Sequence, residues 1–276
     1  MSSPPEPYSA APLPTRALPK TERPFATFRT VTALILREMS SRYGRSPGGY
    51  LWAILEPLGG IAILGLAFSL IMRAPPLGNS FILFFATGFL IYNLFQALER
   101  TVANSISYSK ALLSYPAVTW VDAILARFLL NSLTSIFVSY IILAGILMTQ
   151  DTRVTLDAPP ILRTVSMTLL LGLGVGTLNC ALTGKIDMWG RVWPILTRPL
   201  FLASGVFFLY DDLPKTAQDI LWYNPLIHVV GYMRMGFYPS YHPDYLSAPY
   251  VLIVALIFLA LGVVFVGRYH RDILND

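Results

Sequence analysis

A chain of 276 residues with 55% hydrophobic and only 13% charged residues is a poor match to a water-soluble protein. Soluble domains carry about 25% charged residues, so much of this surface must face something other than water. The net charge is +5, and its position matters because Lys and Arg set membrane orientation. The single cysteine, Cys180, excludes an intrachain disulfide framework.

The first 24 residues differ in composition from everything that follows. They are rich in Pro and Ser, with few aromatic residues, which predicts a disordered cytoplasmic tail at 1–24. They contain no apolar run, so we expect no cleavable signal peptide. The remaining residues, 25–276, are predicted to form one transmembrane domain.

An amphipathic helix is predicted directly after this tail. Arg37, Ser40 and Ser41 lie on its polar face. The apolar face, at helical spacing, comprises Phe28, Val31, Ile35 and Met39. The segment is too short and too polar to span a bilayer. Two interpretations remain open, an anchor in the membrane interface and a docking surface for a cytoplasmic partner.

Six apolar runs are candidates for membrane spans, each of which needs about 20 residues. They lie near residues 52–72, 81–98, 124–148, 162–182, 193–210 and 249–267. The fifth run is the weakest, because it is short and contains Arg198 and two prolines. The predicted fold is therefore an all-α integral membrane protein with six transmembrane helices and an N-terminal amphipathic helix.

The distribution of basic residues predicts that both termini are cytoplasmic. With the N-terminus inside, external segments carry five basic residues, and Arg127 and Arg198 lie in helix ends. Cytoplasmic segments carry thirteen: Arg16, Lys20, Arg23, Arg29, Arg37, Arg42, Arg45, Arg100, Lys110, Lys185, Arg191, Arg268 and Arg271. This asymmetry follows the positive-inside rule.

Two connections between the predicted spans are long. The cytoplasmic segment 99–120 is compatible with a helix as far as Pro116. The external segment 211–248 contains apolar stretches on both sides of Asn224-Pro225. Such a pattern predicts a re-entrant or interfacial helical hairpin between helices five and six.

No catalytic constellation is present in the sequence. The three histidines are scattered, and no His, Cys and carboxylate spacing suits a metal. Thr183-Gly184-Lys185 resembles the end of a phosphate-binding loop, but Asn179 and Ile186 replace residues that this motif requires. We therefore expect a non-enzymatic chain that binds no metal or cofactor. Gly172 and Gly176, one turn apart, predict close helix packing in lipid.

Charged residues are predicted near the inner ends of the spans, and the middle of the membrane is almost uncharged. The inner residues are Glu56, Glu99, Arg100, Asp122, Arg127 and Arg198. The uncharged middle argues against a carrier driven by protons or sodium, which needs an ionisable relay there. The inner charges fit either salt bridges between helices or the entrance of a pathway for an anionic substrate.

Aromatic side chains recur along the second and fifth predicted spans. Phe85, Phe89 and Tyr92 share one helix face, followed by Gln96, and Phe207 lies in the fifth run. Such a stripe is compatible with ordinary packing or lipid contact. Flat aromatic faces also contact the C–H face of a sugar ring without fixed hydrogen bonds, so a sugar pathway is the alternative.

Several stretches together resemble one family, the ABC-2-type permeases that export capsular polysaccharide. Near the first span they are Leu36-Arg37-Glu38, Arg42-Tyr43, Ser46-Pro47-Gly48-Gly49-Tyr50-Leu51-Trp52 and Leu55-Glu56-Pro57. In the second span they are Phe84-Phe85-Ala86-Thr87-Gly88 and Leu94-Phe95-Gln96. In the outer hairpin they are Asn224-Pro225-Leu226, His228, Arg234 and Gly236-Phe237-Tyr238-Pro239-Ser240-Tyr241. The resemblance extends from about residue 28 to the C-terminus.

The resemblance implies site residues of three kinds. The family's interface helix would fall on Phe25–Tyr43 and its coupling helix within Asn104–Tyr115. An ATPase would then contact Arg37, Glu38, Arg42, Tyr43, Ser109, Lys110 and Leu113. The translocation path would involve Phe85, Phe89, Tyr92, Gln96, Glu99, Arg100 and Phe207. The outer hairpin would depend on Asn224, Pro225, His228 and Arg234.

The same resemblance implies partners and a location. We expect a multi-pass protein of the bacterial inner membrane that forms a homodimer and binds two ABC ATPase subunits, which hold ATP and Mg²⁺. A lipid-linked acidic glycan would be exported, with a periplasmic co-polymerase as a further partner and no role for nucleic acid. The rival hypotheses are an ABC-2 exporter of a small lipid or drug and a membrane assembly scaffold without transport activity.

Overall fold

The computed structural model describes residues 26–43, 49–115, 117–150, 154–186 and 188–275. The described chain is helical, with ten α-helices and a short 3-10 helix at Tyr210–Asp212. The α-helices are α1 Ala26–Tyr43, α2 Gly49–Ile71, α3 Phe81–Ala103, α4 Ser105–Leu113, α5 Trp120–Thr149, α6 Ala158–Lys185, α7 Trp189–Ala203, α8 Lys215–Leu221, α9 Pro225–Phe237 and α10 Ala248–Asn275. The predicted tail at 1–24 and the Ser46-Pro47-Gly48 turn lie outside the described residues.

Within the described ranges, five helical segments are long and apolar enough to cross a membrane, by length and composition alone. They are Leu51–Ile71, Phe81–Leu113, Trp120–Thr149, Ala158–Lys185 and Ala248–Leu274. Two of these segments form the centre of the protein. In the apolar 18-residue stretch of each, 67% of Phe81–Leu113 and 61% of Ala158–Lys185 is buried. Only 17–22% of the other three is buried by the same measure, so these helices are more peripheral. The core is therefore the α3–α6 pair, covered by α10 and α9.

Glycines on α6 bring its backbone close to both of its main neighbours. A Cβ atom on Gly176 would lie 2.9 Å from the carbonyl oxygen of Glu99 in α3. A Cβ atom on Gly174 would lie 2.5 Å from the carbonyl oxygen of Ala255 in α10. Both distances are too short for a real carbon atom. The packing role predicted for the glycines of this helix is confirmed, and it extends to a second helix.

The predicted fifth span at 193–210 is wrong as a continuous helix. The helix here, α7, is only 15 residues long, contains Pro194 and Pro199, and ends at Ala203. Residues 204–209, which we call the α7 turn, are not helical, and Gly205 adopts a positive φ of 75°. Proline removes backbone donors within a helix, and a left-handed residue after the last turn ends it.

Helix α9 is the most deeply buried short helix of the described chain. Eleven of its 13 residues are buried, and it packs against α6, α3 and α10. Asn224 caps its N-terminus by accepting a hydrogen bond from the backbone N–H of Leu226, and Pro225 follows at the first helical position. Asparagine and proline are favoured at these two positions. Helix α8 precedes Asn224-Pro225 and α9 begins at Pro225, so the chain is helical on both sides of this break.

Helix α1 packs along α5 through one face. Val31 and Glu38, two turns apart, are buried on that face, whereas Phe28 is 71% exposed and Met39 is 37% exposed. The apolar face predicted from the sequence is thus divided. One part contacts the protein, and the other part is open to lipid or to a partner.

Candidate functional site

An aromatic column connects α2, α3, α7 and the α7 turn. We define it as Phe68, Phe85, Phe89, Tyr92, Phe201 and Phe207. Phe201 lies at its middle, with its ring centroid 4.8 Å from that of Tyr92, 6.0 Å from that of Phe89 and 4.9 Å from that of Phe207. Phe68 continues the column, at 5.9 Å from Phe207 and 4.8 Å from Phe85. These separations are typical of interacting aromatic pairs.

The two ends of this column differ in whether their rings border a cleft. Phe85 is 1% exposed and lies in the main core, so its ring serves packing. Phe89 and Tyr92 instead line a cleft of about 260 Å³ between α3 and α7, together with Asn93, Gln96 and Arg198. Phe201 completes the lining of this α3/α7 cleft. Of the predicted aromatic stripe, Phe89 and Tyr92 line this cleft and Phe85 does not.

A second cleft, also of about 260 Å³, lies between α2, α3 and α5 and is predominantly polar. Helix α5 contributes one polar stripe to it at helical spacing: Asn131, Thr134, Ser135 and Ser139. Helices α2 and α3 contribute charged and amide side chains: Glu56, Asn93, Gln96 and Arg100. We call it the α2/α3/α5 cleft. The sequence pattern contained the α5 stripe, but the high overall hydrophobicity of this helix concealed it.

Glu99 is separated from the other predicted path residues. Its Oε1 atom accepts a 2.7 Å hydrogen bond from Nδ2 of Asn179 in α6, and Oδ1 of Asn179 accepts one of 2.9 Å from the Trp189 indole. Arg100, the next residue, points instead into the α2/α3/α5 cleft. Consecutive helical side chains diverge in direction, so the structure brings Gln96 and Arg100 together and places Glu99 on another face.

Arg127 of α5 joins three elements near the start of that helix. Its Nε atom lies 3.3 Å from Oε1 of Glu38 in α1, and Nη1 donates a 2.9 Å hydrogen bond to the carbonyl oxygen of Asn104. Its guanidinium carbon lies 4.2 Å from the ring centroid of Tyr108 in α4. One side chain therefore links α1, α4 and α5, and we call these contacts the Arg127 junction. The sequence placed Arg127 among charges that fit either salt bridges between helices or a pathway entrance, and here it forms an ion pair between two helices.

The residues expected to contact an ATPase divide into exposed and buried sets. Arg37 and Lys110 are exposed on α1 and α4. Glu38 and Ser109 are buried, at 4% and 5% exposure, and Leu113 packs against a buried apolar cluster that includes Val102 and Ile106. Arg42 and Tyr43 belong to the last turn of α1, and their side chains lie outside the described part. Among these residues, Arg37 and Lys110 have the exposure that a docking contact requires.

The outer-hairpin residue Arg234 holds the α7 turn from the side of α9. It is 2% exposed. Its Nη1 donates to the carbonyl oxygen of Phe208 at 2.8 Å, and Nη2 donates to that of Val206 at 3.0 Å. The guanidinium lies 4.1 Å from the ring centroid of Phe84 in α3. A forked donor thus satisfies two carbonyl groups of a non-helical segment.

The phenols around Arg234 do not supply a balancing negative charge. Tyr241 lies in the loop after α9, and burial raises the pKa of its hydroxyl to about 12. Burial also raises the pKa of Tyr245, which is in the same loop. Both phenols are neutral at physiological pH, so the cation is stabilised by carbonyl dipoles and aromatic faces.

The remaining hairpin residues make internal hydrogen bonds as well. Asn224 Nδ2 donates to the carbonyl oxygen of Ala203 at 2.9 Å, which ties α9 to the end of α7. His228 is fully buried, with Nδ1 accepting from the backbone N–H of Ser247. Its Nε2 lies 2.8 Å from the carbonyl oxygen of Trp222, so the ring is neutral and donates through Nε2. These hydrogen bonds connect Asn224 to the end of α7 and His228 to Ser247, the residue just before α10.

Comparison with known proteins identifies the family. Residues 29–238 match the family described as ABC-2 type transporter. The chain belongs to this family. The match begins in α1 and ends just after α9, so it includes both clefts, the contacts of Arg127 and all of α9.

Individual relatives are similar over most of their length. The chain is 30% identical to the polysialic acid transport protein KpsM of Escherichia coli over 233 residues, 84% of this chain and 90% of that protein. It is 26% identical to the capsule polysaccharide export inner-membrane protein CtrC of Neisseria meningitidis and 28% identical to the protein BexB, of the same description, from Haemophilus influenzae. Those two matches each cover 89% of this chain and 92% of the relative.

Proposed function

We propose that this chain is the membrane permease subunit of an ATP-driven exporter that moves lipid-linked capsular polysaccharide across the bacterial inner membrane. The similarity to three capsule or polysialic acid export proteins, over about nine-tenths of the length of each, carries the proposal. These relatives favour a polysaccharide over a small lipid or drug. Five membrane-capable helices place the chain among multi-pass membrane proteins.

We propose six membrane crossings, with both termini in the cytoplasm. Five crossings would be α2, α3, α5, α6 and α10, and the remaining one would combine α7 with the α7 turn. The non-helical turn is compatible with membrane depth because its carbonyl groups at 206 and 208 are bonded by Arg234. In this arrangement α9 is a re-entrant helix on the external side.

The proposed energy source lies on a separate subunit. ABC-2 permeases pair with an ABC ATPase, and ATP and Mg²⁺ would bind to that partner. We place the docking contact on the exposed cations Arg37 and Lys110, with the Arg127 junction behind them connecting α1 and α4 to α5. Two permeases with two ATPases, and contact with a periplasmic co-polymerase, complete the proposed assembly.

The proposed route for the glycan follows the half of the aromatic column that lines the α3/α7 cleft. Phe89, Tyr92 and Phe201 offer ring faces in the α3/α7 cleft, and Arg198 adds a positive charge for an acidic polymer. Aromatic faces bind sugars with little dependence on rotation or translation, which suits a moving chain. Gln96 at the edge of the cleft supplies a polar contact.

Deletion and complementation in a capsule-producing host test the function. Loss of the chain should abolish surface polysaccharide while lipid-linked polysaccharide accumulates inside the cell, and tagged permease should co-purify with an ABC ATPase. A strain deleted only for the ATPase is the control and should show the same accumulation. Normal surface polysaccharide in the deletion strain contradicts the proposal.

A further inference from the structure

We propose that the α2/α3/α5 cleft binds the headgroup end of the lipid-linked glycan before the polymer reaches the aromatic column. This inference rests on the proposed function and adds to it a second binding site for the same substrate. The site differs from the α3/α7 cleft in position and in chemistry. Its ligand is a hydroxyl-rich, anionic headgroup attached to acyl chains.

The chemistry of the cleft wall argues for a polar ligand. Polar side chains at membrane depth are costly unless they have partners. The side-chain amides of Asn93 and Gln96 form no hydrogen bond with another described residue. Glu56 and Arg100 both border the cleft, yet neither forms an ion pair within the described chain. A group that enters this space therefore meets polar side chains that are not already paired with each other.

The set of donors and acceptors matches a headgroup better than a simple ion. Arg100 offers a guanidinium for an anionic group, which it can bind through two parallel hydrogen bonds. Glu56 accepts hydrogen bonds, the amides both donate and accept, and Ser135 and Ser139 on α5 do the same. Sugar and glycerol hydroxyls need such mixed partners. A single cation site would need carboxylates, and only one borders this cleft.

The two outer helices of the cleft have apolar faces on the side turned away from it. On α2, Leu51 and Leu55 are exposed at 60% and 42%. On α5, Leu133 and Phe137 are exposed at 67% and 63%. At helical spacing these residues lie opposite the residues that line the cleft. A polar cleft between two helices with apolar outward faces fits a headgroup whose acyl chains remain in the surrounding lipid.

The position of the cleft is consistent with access from the inner leaflet. Glu56 lies in the first half of α2, and Arg100 lies in the last turn of α3. In the proposed orientation both positions belong to the cytoplasmic half of the membrane, where the lipid-linked glycan is made. Asn93 and Gln96 border both clefts, so the headgroup site is adjacent to the aromatic route.

Photo-crosslinking in the assembled permease–ATPase complex tests the site. A diazirine-bearing residue replaces Ser139 in the cleft, or Ser166 as the control. Ser166 faces outward on α6. Its separation in sequence from the start of α6 is similar to the separation of Ser139 from the end of α5. The probe is lipid-linked glycan labelled metabolically with a tritiated sugar. We expect roughly tenfold more label at position 139 than at 166, as for a site with about 1.4 kcal/mol of added affinity.

Cells unable to make the glycan distinguish the headgroup from ordinary membrane lipid. Their complex should lose the crosslink at position 139. Equal labelling at both positions, or a crosslink to phospholipid that persists without the glycan, overturns the inference.

A filling substitution gives a second, independent readout. Ser135→Leu occupies the cleft, and Ser166→Leu is the matched control on the lipid-facing side. We expect Ser135→Leu to lower export roughly tenfold, equivalent to losing one good polar contact, and the control to stay within about twofold. Unchanged export with Ser135→Leu contradicts the inference. If this variant does not assemble, the crosslink at position 139 decides. Failure of the unmodified complex to export glycan would contradict the proposed function itself.

Discussion

The Nε atom of Arg127 lies 3.3 Å from Oε1 of Glu38, and this pair joins α1 to α5. The Arg127 and Glu38 side chains are only 12% and 5% exposed. Breaking a buried pair from one side leaves a charge without its partner, which costs about 3–5 kcal/mol. The contact is therefore a structural bond between the amphipathic helix and the membrane domain. It differs in kind from an exposed surface ion pair.

We predict that Arg127→Gln and Glu38→Gln each reduce ATP-coupled export strongly. The double variant should lose less export than the two single losses added together. The reason is that each single change leaves one buried charge. Export per assembled complex is measured alongside ATPase activity. Arg268→Gln, an exposed arginine beside Tyr269, is the matched control. Strictly additive effects would show that the two residues act independently.

Charge reversal at the exposed cations should weaken ATPase docking. We predict that Arg37→Glu and Lys110→Glu lower co-purification of the ATPase while membrane insertion stays normal, because both side chains are exposed. Pull-down from solubilised membranes measures this. Arg163→Glu, an exposed position on α6, is the control and should leave the complex intact. Unchanged pull-down in both variants counts against the assigned interface.

Arg234→Lys should destabilise the α7 turn. A lysine cannot donate to both carbonyl oxygens in the same geometry or keep the guanidinium contact with Phe84. We expect a loss of about 1–3 kcal/mol in unfolding free energy, seen as a lower melting temperature of purified protein. The control is Arg163→Lys, where the guanidinium is exposed and lies 5.4 Å from the Tyr232 ring. Equal melting temperatures for the two variants would show that Arg234 does not stabilise the α7 turn.

The aromatic column should show two distinct mutant phenotypes. Phe85→Ala removes a ring that is 1% exposed, so we predict poor expression through a core cavity worth about 3–5 kcal/mol. Phe89→Ala and Tyr92→Ala remove rings that border the α3/α7 cleft. These two should lower export more than they lower the amount of protein in the membrane. A proportional fall in both quantities would assign all three rings to packing.

Gly176→Ala should destabilise the protein, whereas Gly145→Ala should not. A Cβ atom on Gly176 would lie 2.7 Å from Cβ of Val102 and 2.9 Å from the carbonyl oxygen of Glu99. Gly145 on α5 has nothing within 4 Å of the same position. Alanine favours helix over glycine by about 1 kcal/mol, so the control variant should be neutral or slightly stabilised. Thermal unfolding of purified protein distinguishes the two.

The helical architecture was accessible from hydrophobic runs, because membrane helices satisfy their own backbone and reveal themselves by length and apolarity. The end of α7 could not be predicted from hydrophobic runs. Its carbonyl groups after Ala203 are bonded by Arg234, which lies 28 positions beyond Val206 in the chain. A local pattern does not contain a partner that is brought in by tertiary folding.

The candidate site was predictable only in part, for a related reason. Phe89, Tyr92 and Gln96 were identified from one helix face, and they do border a cleft together. Glu99 was grouped with Arg100 because both are charged, yet its partner is Asn179 on a different helix. The α5 stripe with Asn131 was overlooked because four polar residues are few in a 30-residue apolar helix.

Asn93 and Gln96 border the α2/α3/α5 cleft on one side and the α3/α7 cleft on the other. If a headgroup binds in the first cleft and a sugar chain in the second, the same two amides are within reach of both. A ligand can then exchange its hydrogen bonds one at a time as it crosses α3, so the transfer between clefts needs no fully desolvated intermediate.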